Sequence, residues 1–177
     1  MSEVRTAHTA ELDAATLVAT HALLVAVFED DFSDSDWEHA LGGVHALAWE
    51  EGELVGHAAV VQRRLLHGGR ALRTGYVEGV GVRADLRGRG HAAAMMDELE
   101  RVIRAAYELG ALGASADGAG FYAARGWQPW RGPTFALTPD GITRTEDEDD
   151  SIYVLPVAAE LDLSGELTCD WRDGDVW

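Results

Sequence analysis

The sequence predicts an α/β fold with a mixed β-sheet. Three observations carry this: strand-like apolar segments between residues 44 and 82, a long helical pattern entered through a glycine-rich loop at 83–90, and a short strand followed by a brief helix. The chain has 177 residues, the length of one domain, so residues 1–177 are read as a single domain. With 47% apolar and 25% charged residues it can bury a core and is not a disordered chain.

A short β-like start around Val4 to Ala7 leads into Glu11–Glu29, where Leu12, Leu17, Val18, Leu23, Leu24, Val27 and Phe28 recur at helical spacing. An amphipathic helix is expected there. It stops in the polar run of residues 30–36, where Ser33 or Asp34 is placed to cap a second helix through Trp37 and Leu41, ended by Gly42-Gly43. Strands are expected at Val44–Trp49 and Leu54–Leu66, joined as a hairpin through Glu50-Glu51-Gly52-Glu53, with a second turn at His67-Gly68-Gly69-Arg70. The next strand, Leu72–Val82, contains Gly75, Gly79 and Gly81. Glycines in a strand mark a bulge or a close approach of another backbone or ligand; the other reading is a weak edge strand.

Gly90–Leu109 reads as a long helix with Ala94, Met95, Leu99, Val102, Ile103 and Ala106 on one face, and Gly110 is placed to end it. A small-residue strand at Ala111–Ser115 precedes a brief helix within Gly118–Trp127, closed by glycine and followed by a strand. Pro129, Pro133 and Pro139 divide the following chain into turns. Glu146–Asp150 reads as an acidic loop, Ile152–Val157 as a late strand and Asp170–Trp177 as an acidic tail carrying tryptophan.

Fourteen Lys and Arg against 31 Asp and Glu give a net charge of −17. Such a field repels phosphate backbones and attracts polycations, which argues against a nucleic-acid partner. Solubility alone is the plainer reading of that acidity. The one cysteine, Cys169, forms no internal disulfide and no cysteine-rich metal site; no metal is expected, and a buried inert thiol is. The N-terminal residues lack a basic segment followed by an apolar core, and the apolar stretch from Ala14 to Phe28 is too short to span a bilayer, so no membrane association and a cytoplasmic location are expected.

The chemistry-bearing segment is Arg87-Gly88-Arg89-Gly90-His91-Ala92, lying between a strand end at Val82 and a helix start at Gly90. A helix start offers unpaired N–H donors and about half a positive charge, and glycine keeps side chains out of the way of a diphosphate. The pattern is neither a P-loop, which needs Gly-Lys-Ser/Thr, nor G-x-G-x-x-G, because residue 93 is alanine. Taken alone it also fits an ordinary strand-to-helix turn with surface arginines.

These residues resemble the Arg/Gln-x-x-Gly-x-Gly/Ala signature of the GCN5-related N-acetyltransferase (GNAT) superfamily, and Phe121-Tyr122-Ala123-Ala124-Arg125-Gly126-Trp127 is similar to its late Phe-Tyr-x-x-x-Gly-Phe segment. The resemblance implies a mostly antiparallel, splayed sheet flanked by helices, with acetyl-CoA as cofactor. It also implies pantetheine along the backbone of Val80, Gly81 and Val82, and the pyrophosphate on Arg87, Gly88, Arg89, Gly90, His91 and Ala92. Further blocks are similar to one subgroup, the aminoglycoside 2′-N-acetyltransferases: Asp36-Trp37-Glu38-His39 with Leu41-Gly42-Gly43, Tyr76-Val77-Glu78-Gly79-Val80, Arg125-Gly126-Trp127-Gln128-Pro129-Trp130, and Cys169 through Trp177.

That resemblance implies acetylation of an aminoglycoside 2′-amine by direct attack on the thioester, and a homodimer. By position, Glu78 resembles the carboxylate that acts through water on the amine, Tyr122 the residue beside the CoA sulfur, and the terminal carboxylate of Trp177 a group reaching the acceptor. Asp31, Asp36, Asp147, Glu148 and Asp175 resemble the acidic lining for the cationic sugar, with the backbone at Gly79 and Gly113 completing it. Two positions depart from the subgroup: Gly113 has no side chain to hydrogen-bond, and Glu148 is longer than an aspartate.

The chemistry is consistent with these roles. An ammonium must lose a proton before attack, and a glutamate titrating near about 4.3 needs burial or a water relay to accept it. Otherwise Glu78 is a surface strand carboxylate. Tyr122, near about 10, is a weak acid for a thiolate near about 8.5, so packing and orienting the sulfur stand beside acid catalysis as its role. The alternatives for the whole chain are acetyl transfer to another amine, such as a polyamine, an amino sugar or a peptide N-terminus, and a non-catalytic CoA-binding sensor.

Overall fold

The computed structural model describes residues 2–177, which fold as two compact units. Two long strands run from one unit into the other: β3 (Glu53–His67) and β4 (Arg70–Val82).

The first unit holds the chain up to Val61 together with Val77–Val102. β1 (Ser2–His8) runs antiparallel to β2 (Val44–Glu50), from Ser2 opposite Glu50 to His8 opposite Val44. β2 in turn runs antiparallel to β3, with a register irregularity between Ala48 and Trp49. Glu51 and Gly52 turn the hairpin with φ of 52° and 85°, the left-handed pair that suits the twist of the strands. α1 (Ala14–Val27) is capped by Asp13, whose carboxylate accepts from the Thr16 N–H. Its Leu24 and Val27 pack on the end of β4, within about van der Waals distance of where side chains at Gly79 and Gly81 would stand. α2 (Asp34–Ala40) begins with a reciprocal cap between Ser33 and Asp36. α3 (His91–Ala106) buries Met95, Met96 and Leu99, and Gly56 of β3 leaves room for the Met95 methyl.

The second unit holds Gln62–Tyr76 and Ile103–Trp177. Its strands are β5 (Leu109–Gly113), β6 (Gln128–Pro129), β7 (Thr134–Thr138), β8 (Gly141–Arg144), β9 (Ile152–Pro156) and β10 (Leu167–Cys169), with α4 (Ala119–Ala124) between β5 and β6. They hydrogen-bond in the order β6-β9-β5-β4-β3-β10-β7-β8. β4–β5 and β10–β7 are parallel, β3–β10, β5–β9, β6–β9 and β7–β8 antiparallel, and the β4–β5 ladder is only three residues long, ending at Tyr76 opposite Ala111. Gly75 and Gly110 admit Ile103, Tyr107 and Trp127, whose side chains stand where their Cβ atoms would be. The fold is thus α/β with a mixed sheet flanked by helices.

Several expected boundaries move. The first helix starts at Ala14, after a single 3-10 turn at Thr9–Glu11, and stops at Val27 because Glu29 and Asp30 take φ of 52° and 70°. Its expected apolar face is only partly buried: Val18 is 70% exposed and Phe28 36%. Gly110 does not end α3; Tyr107 and Glu108 do, and Gly110 lies inside β5, where its missing side chain makes room for Trp127. The edge-strand reading of Leu72–Val82 fails, since β4 has a neighbour on each side. Pro129 sits in the two-residue edge strand β6 rather than in a turn. The acidic loop at Glu146–Asp150 contains a 3-10 turn, Glu146–Glu148. β7, β8 and β10 were not expected from the pattern.

Candidate acetyl-transfer site

In the first unit β4 bulges at Gly79, which takes φ of +57°. A left-handed residue within a strand marks a bulge, and the Gly79 carbonyl there takes a side-chain donor. It finds one in His57 Nδ1, 2.7 Å away. His57 Nε2 lies 2.9 Å from His45 Nδ1, and His45 Nε2 lies 2.7 Å from Thr9 Oγ1. Both rings are fully buried, and burial pushes His45 down to about 4 and His57 to about 3, so both are neutral. Glu78, adjacent to the bulge, is half-buried.

The strand then runs out through Val80, Gly81 and Val82 into a loop that a single 3-10 turn, Ala84–Leu86, leads to residues 87–90. Gly88 and Gly90 take φ of +78° and +88°, and a side chain at either would meet nothing within 4 Å. Their role is conformational, and the space beside them is open. α3 begins at His91, so the first N–H groups of this sixteen-residue helix have no partner within it. Open glycines, unpaired amides and a helix N-terminus fit a diphosphate, the part of acetyl-CoA that needs anion recognition.

The loop's side chains are arranged less simply. Arg87 Nε donates back to the Val82 carbonyl at 3.2 Å. Arg89 pairs with Glu50 at 3.0 Å, and the buried ring of His91 reaches the other Glu50 oxygen at 2.8 Å and Ser2 Oγ at 3.2 Å. His91 therefore offers the loop its backbone, not its imidazole. Its hydrogen bond, helped by Arg89, holds the Glu50 carboxyl below the usual carboxylate range. Ala92, in the first turn of α3, likewise offers only backbone.

Of the first unit's acidic candidates, Asp36 is already engaged: it accepts from the Ser33 N–H and hydroxyl at 2.7 and 2.8 Å. Asp31 is exposed beside an aromatic group in which Phe28 stacks on Phe32 and His21 on Trp37.

In the second unit Tyr122, on α4, is 8% exposed and packs edge-on against Phe121 and Trp127. Burial pushes its phenol up to about 12. A cavity of about 340 Å³ is lined by Arg144, Thr145, Glu146, Asp147, Glu148 and Val176. Burial, then Asp175, then Asp147 raise Glu148 above the usual range, which identifies three carboxyl groups crowded together. Arg144, which also lines the cavity, pairs with Asp149, and Arg172 donates to the Asp175 carbonyl at 2.8 Å.

The tail is fixed to this cavity. Trp177 is buried, its indole N–H donating to Thr145 Oγ1 at 3.0 Å, its backbone N–H to Asp175 at 3.1 Å, and its backbone oxygen accepting from Arg172 at 3.1 Å. Arg63, 4% exposed, grips Asp170 and the Val176 carbonyl, and both Arg63 and Arg172 lie over the Tyr76 ring. A side chain at Gly113 would stand 3.6 Å from Tyr76 Oη and 3.9 Å from the Trp177 carbonyl carbon, so Gly113 borders the tail. Asp147, Glu148, Asp175, Gly113 and Trp177 are thus brought together.

Sequence reasoning missed Glu50, Arg63 and the histidine pair. The only signal for the last was two histidines inside otherwise apolar strands. Cys169 is buried, as expected, its thiol pushed up to about 11 by burial. Among the described residues no helix is long and apolar enough to cross a membrane.

Comparison with known proteins gives the family. The profile of the acetyltransferase (GNAT) domain matches residues 3–130. An aminoglycoside 2′-N-acetyltransferase of Mycolicibacterium fortuitum is 55% identical, over 98% of this chain and 91% of its own. The fold is similar to that of a GNAT family N-acetyltransferase (YhbS) from Escherichia coli in complex with CoA, with TM-score 0.65 and 18% identity over 95% of this chain and 89% of that one. It is also similar to a GNAT family acetyltransferase from Brucella melitensis in complex with acetyl-CoA, with TM-score 0.63 and 15% identity over 94% of each chain. The chain belongs to the GNAT family and is an acetyl-CoA-dependent N-acetyltransferase.

Proposed function

We propose that the chain acetylates the 2′-amine of aminoglycosides, as a single catalytic domain over residues 1–177. The observation that carries this reading is the crowding of the carboxyl groups of Asp147, Glu148 and Asp175, in a chain 55% identical to an aminoglycoside 2′-N-acetyltransferase. A polycation stabilises such a cluster; a neutral or singly charged amine leaves most of its mutual repulsion in place. Asp31, Asp36 and the Gly79 backbone are assigned to the same acceptor.

The roles follow from the chemistry. Acetyl-CoA supplies an activated acetyl group, whose carbonyl carbon bonds to the amine nitrogen as the C–S bond breaks. Glu78 removes the ammonium proton through water, which leaves the lone pair free to attack. Arg87, Gly88, Arg89, Gly90, His91 and Ala92 hold the pyrophosphate, and Val80, Gly81 and Val82 pair with the pantetheine. Tyr122, at about 12, is a poorer proton donor to a thiolate near about 8.5 than an unburied tyrosine would be, so it orients the sulfur by donating a hydrogen bond. Trp177 lines the acceptor side. A cytoplasmic homodimer accompanies this reading, and light scattering and cell fractionation check those two points.

The test is thiol release from acetyl-CoA across a panel of amines. Aminoglycosides with a 2′-amine should turn over at least about a hundredfold faster than their 2′-hydroxyl counterparts, the discrimination that loss of the nucleophile demands. Equal rates, or faster transfer to polyamines or peptide N-termini, would overturn the acceptor assignment.

A further inference from the structure

The histidine pair of the first unit has no part in the chemistry above, yet its hydrogen bonds run in one direction. A carbonyl only accepts, so His57 Nδ1, 2.7 Å from the Gly79 oxygen, carries a proton. The neutral ring leaves Nε2 as an acceptor, and His45 Nδ1 at 2.9 Å donates to it. His45 Nε2 is then an acceptor too, and Thr9 Oγ1 at 2.7 Å is its donor. Thr9 Oγ1 itself accepts from the Gly42 N–H at 2.9 Å. Thr9 Oγ1 also lies 3.4 Å from the Gly43 carbonyl, a longer contact than the 2.7 Å to His45, so the hydroxyl proton goes to the ring and each ring is held in one tautomer.

The far end of this chain is the bulge. A trans peptide is planar, with its C=O and N–H pointing to opposite sides, and the described residues contain no cis bond. Anchoring the Gly79 carbonyl on His57 therefore sends the Val80 N–H the other way. The His57 ring also lies 3.3 Å from where a Gly79 side chain would stand, so it backs the bulge as well as bonding to it.

We infer that His57, locked in its Nδ1–H tautomer by His45 and Thr9, is a positioning residue that aims the Val80 N–H at the carbonyl oxygen of the acetyl thioester. This rests on the acetyl-transfer reading above and adds a cause for the geometry at Val80. During attack that oxygen gathers negative charge, and a donor already aimed at it needs no reorganisation. A neutral imidazole is suited to the task, because a lysine or arginine in its place would set a positive charge beside a site for a cationic amine.

The experiment exploits the shapes of two amides. Asn places an N–H where histidine carries Nδ1, and Gln places one where it carries Nε2. Removing an oxyanion donor costs about 10²–10³ in kcat, and a misaimed donor part of that. His57→Gln should therefore lose about tenfold or more in kcat, and His57→Asn less than about threefold, while acetyl-CoA affinity by calorimetry stays within about twofold in both. Thr9→Val should lower kcat in the same sense and Thr9→Ser should not. Nitrogen-15 NMR of the free enzyme should show Nδ1–H in both rings, and a mixture in Thr9→Val. Equal kcat in the Asn and Gln variants, or Nε2–H in either wild-type ring, overturns the inference. The tautomers are read without an acceptor, and kcat is compared on whichever amine the wild type acetylates, so failure of the aminoglycoside assignment remains distinct from failure of this one.

Discussion

Lowering the pH from 7 to 5 should destabilise the fold by about 4 kcal/mol through His45 and His57 alone. Both are neutral in the folded protein, at about 4 and about 3, against a starting value of 6.5. Their folded pKa lies below the unfolded one, so the unfolded chain binds protons that the fold refuses. Stability is therefore fully present above pH 6.5 and is lost as the pH falls towards the folded values. At pH 5 each ring sits 1.5 pH units below its unfolded value of 6.5, which at 1.36 kcal/mol per unit costs about 2 kcal/mol. Asp149, held at about 2 by Arg144, stays ionised throughout and contributes nothing to the change. Urea unfolding followed by tryptophan fluorescence at pH 7, 6 and 5 measures the effect, with the His45→Asn/His57→Asn double variant as reference. A wild-type free energy that does not fall between pH 7 and 5, or a double variant with the same slope, refutes the reasoning.

Glu78→Gln should lower kcat by about 10²–10⁴ with acetyl-CoA affinity unchanged, and stopped-flow turnover at the wild-type rate would remove Glu78 from the mechanism. Gly90→Ala forces a left-handed conformation at a cost of about 1–2 kcal/mol, which should appear in calorimetry as a lower Tm and in kinetics as a higher KM for acetyl-CoA. Glu148→Gln removes one of three clustered carboxylates and should raise the aminoglycoside KM by about tenfold, with kcat much less affected; an unchanged KM in steady-state kinetics would count against the cluster.

What the sequence made legible is local in origin. The loop at residues 87–92 follows from glycines and a helix start, and the bulge at Gly79 from glycine in a strand, features that short-range sterics impose wherever the segment sits. The cap at Ser33 was readable for the same reason. Gly110 was misread because a glycine after a helical pattern looks like a cap, whereas the deciding contact is with Trp127, seventeen residues on. β10 went unseen because its three residues form a strand only where β3 and β7 flank them. The partners of the site are long-range too. Arg63 meets Asp170 across more than a hundred positions, and Thr9 meets His45 through a turn that no periodicity records. The acids gave a charge pattern, and only the structure separates Asp36, which caps a helix, from Glu148, whose carboxyl is crowded by Asp175 and Asp147.

Glu50 gives the cofactor loop a resting state of its own. Its two oxygens are divided between the exposed Arg89 and the buried His91. On the proposed reading, arrival of a phosphate is an exchange in which Arg89 swaps one anion for another, while His91 keeps Glu50 from standing bare. An exposed pair of this kind is worth at most about 1 kcal/mol, so the swap is nearly free. The loop therefore waits with its arginine extended and its charge provisionally matched, and empties as readily as it fills, which suits an enzyme that must release spent CoA on every cycle.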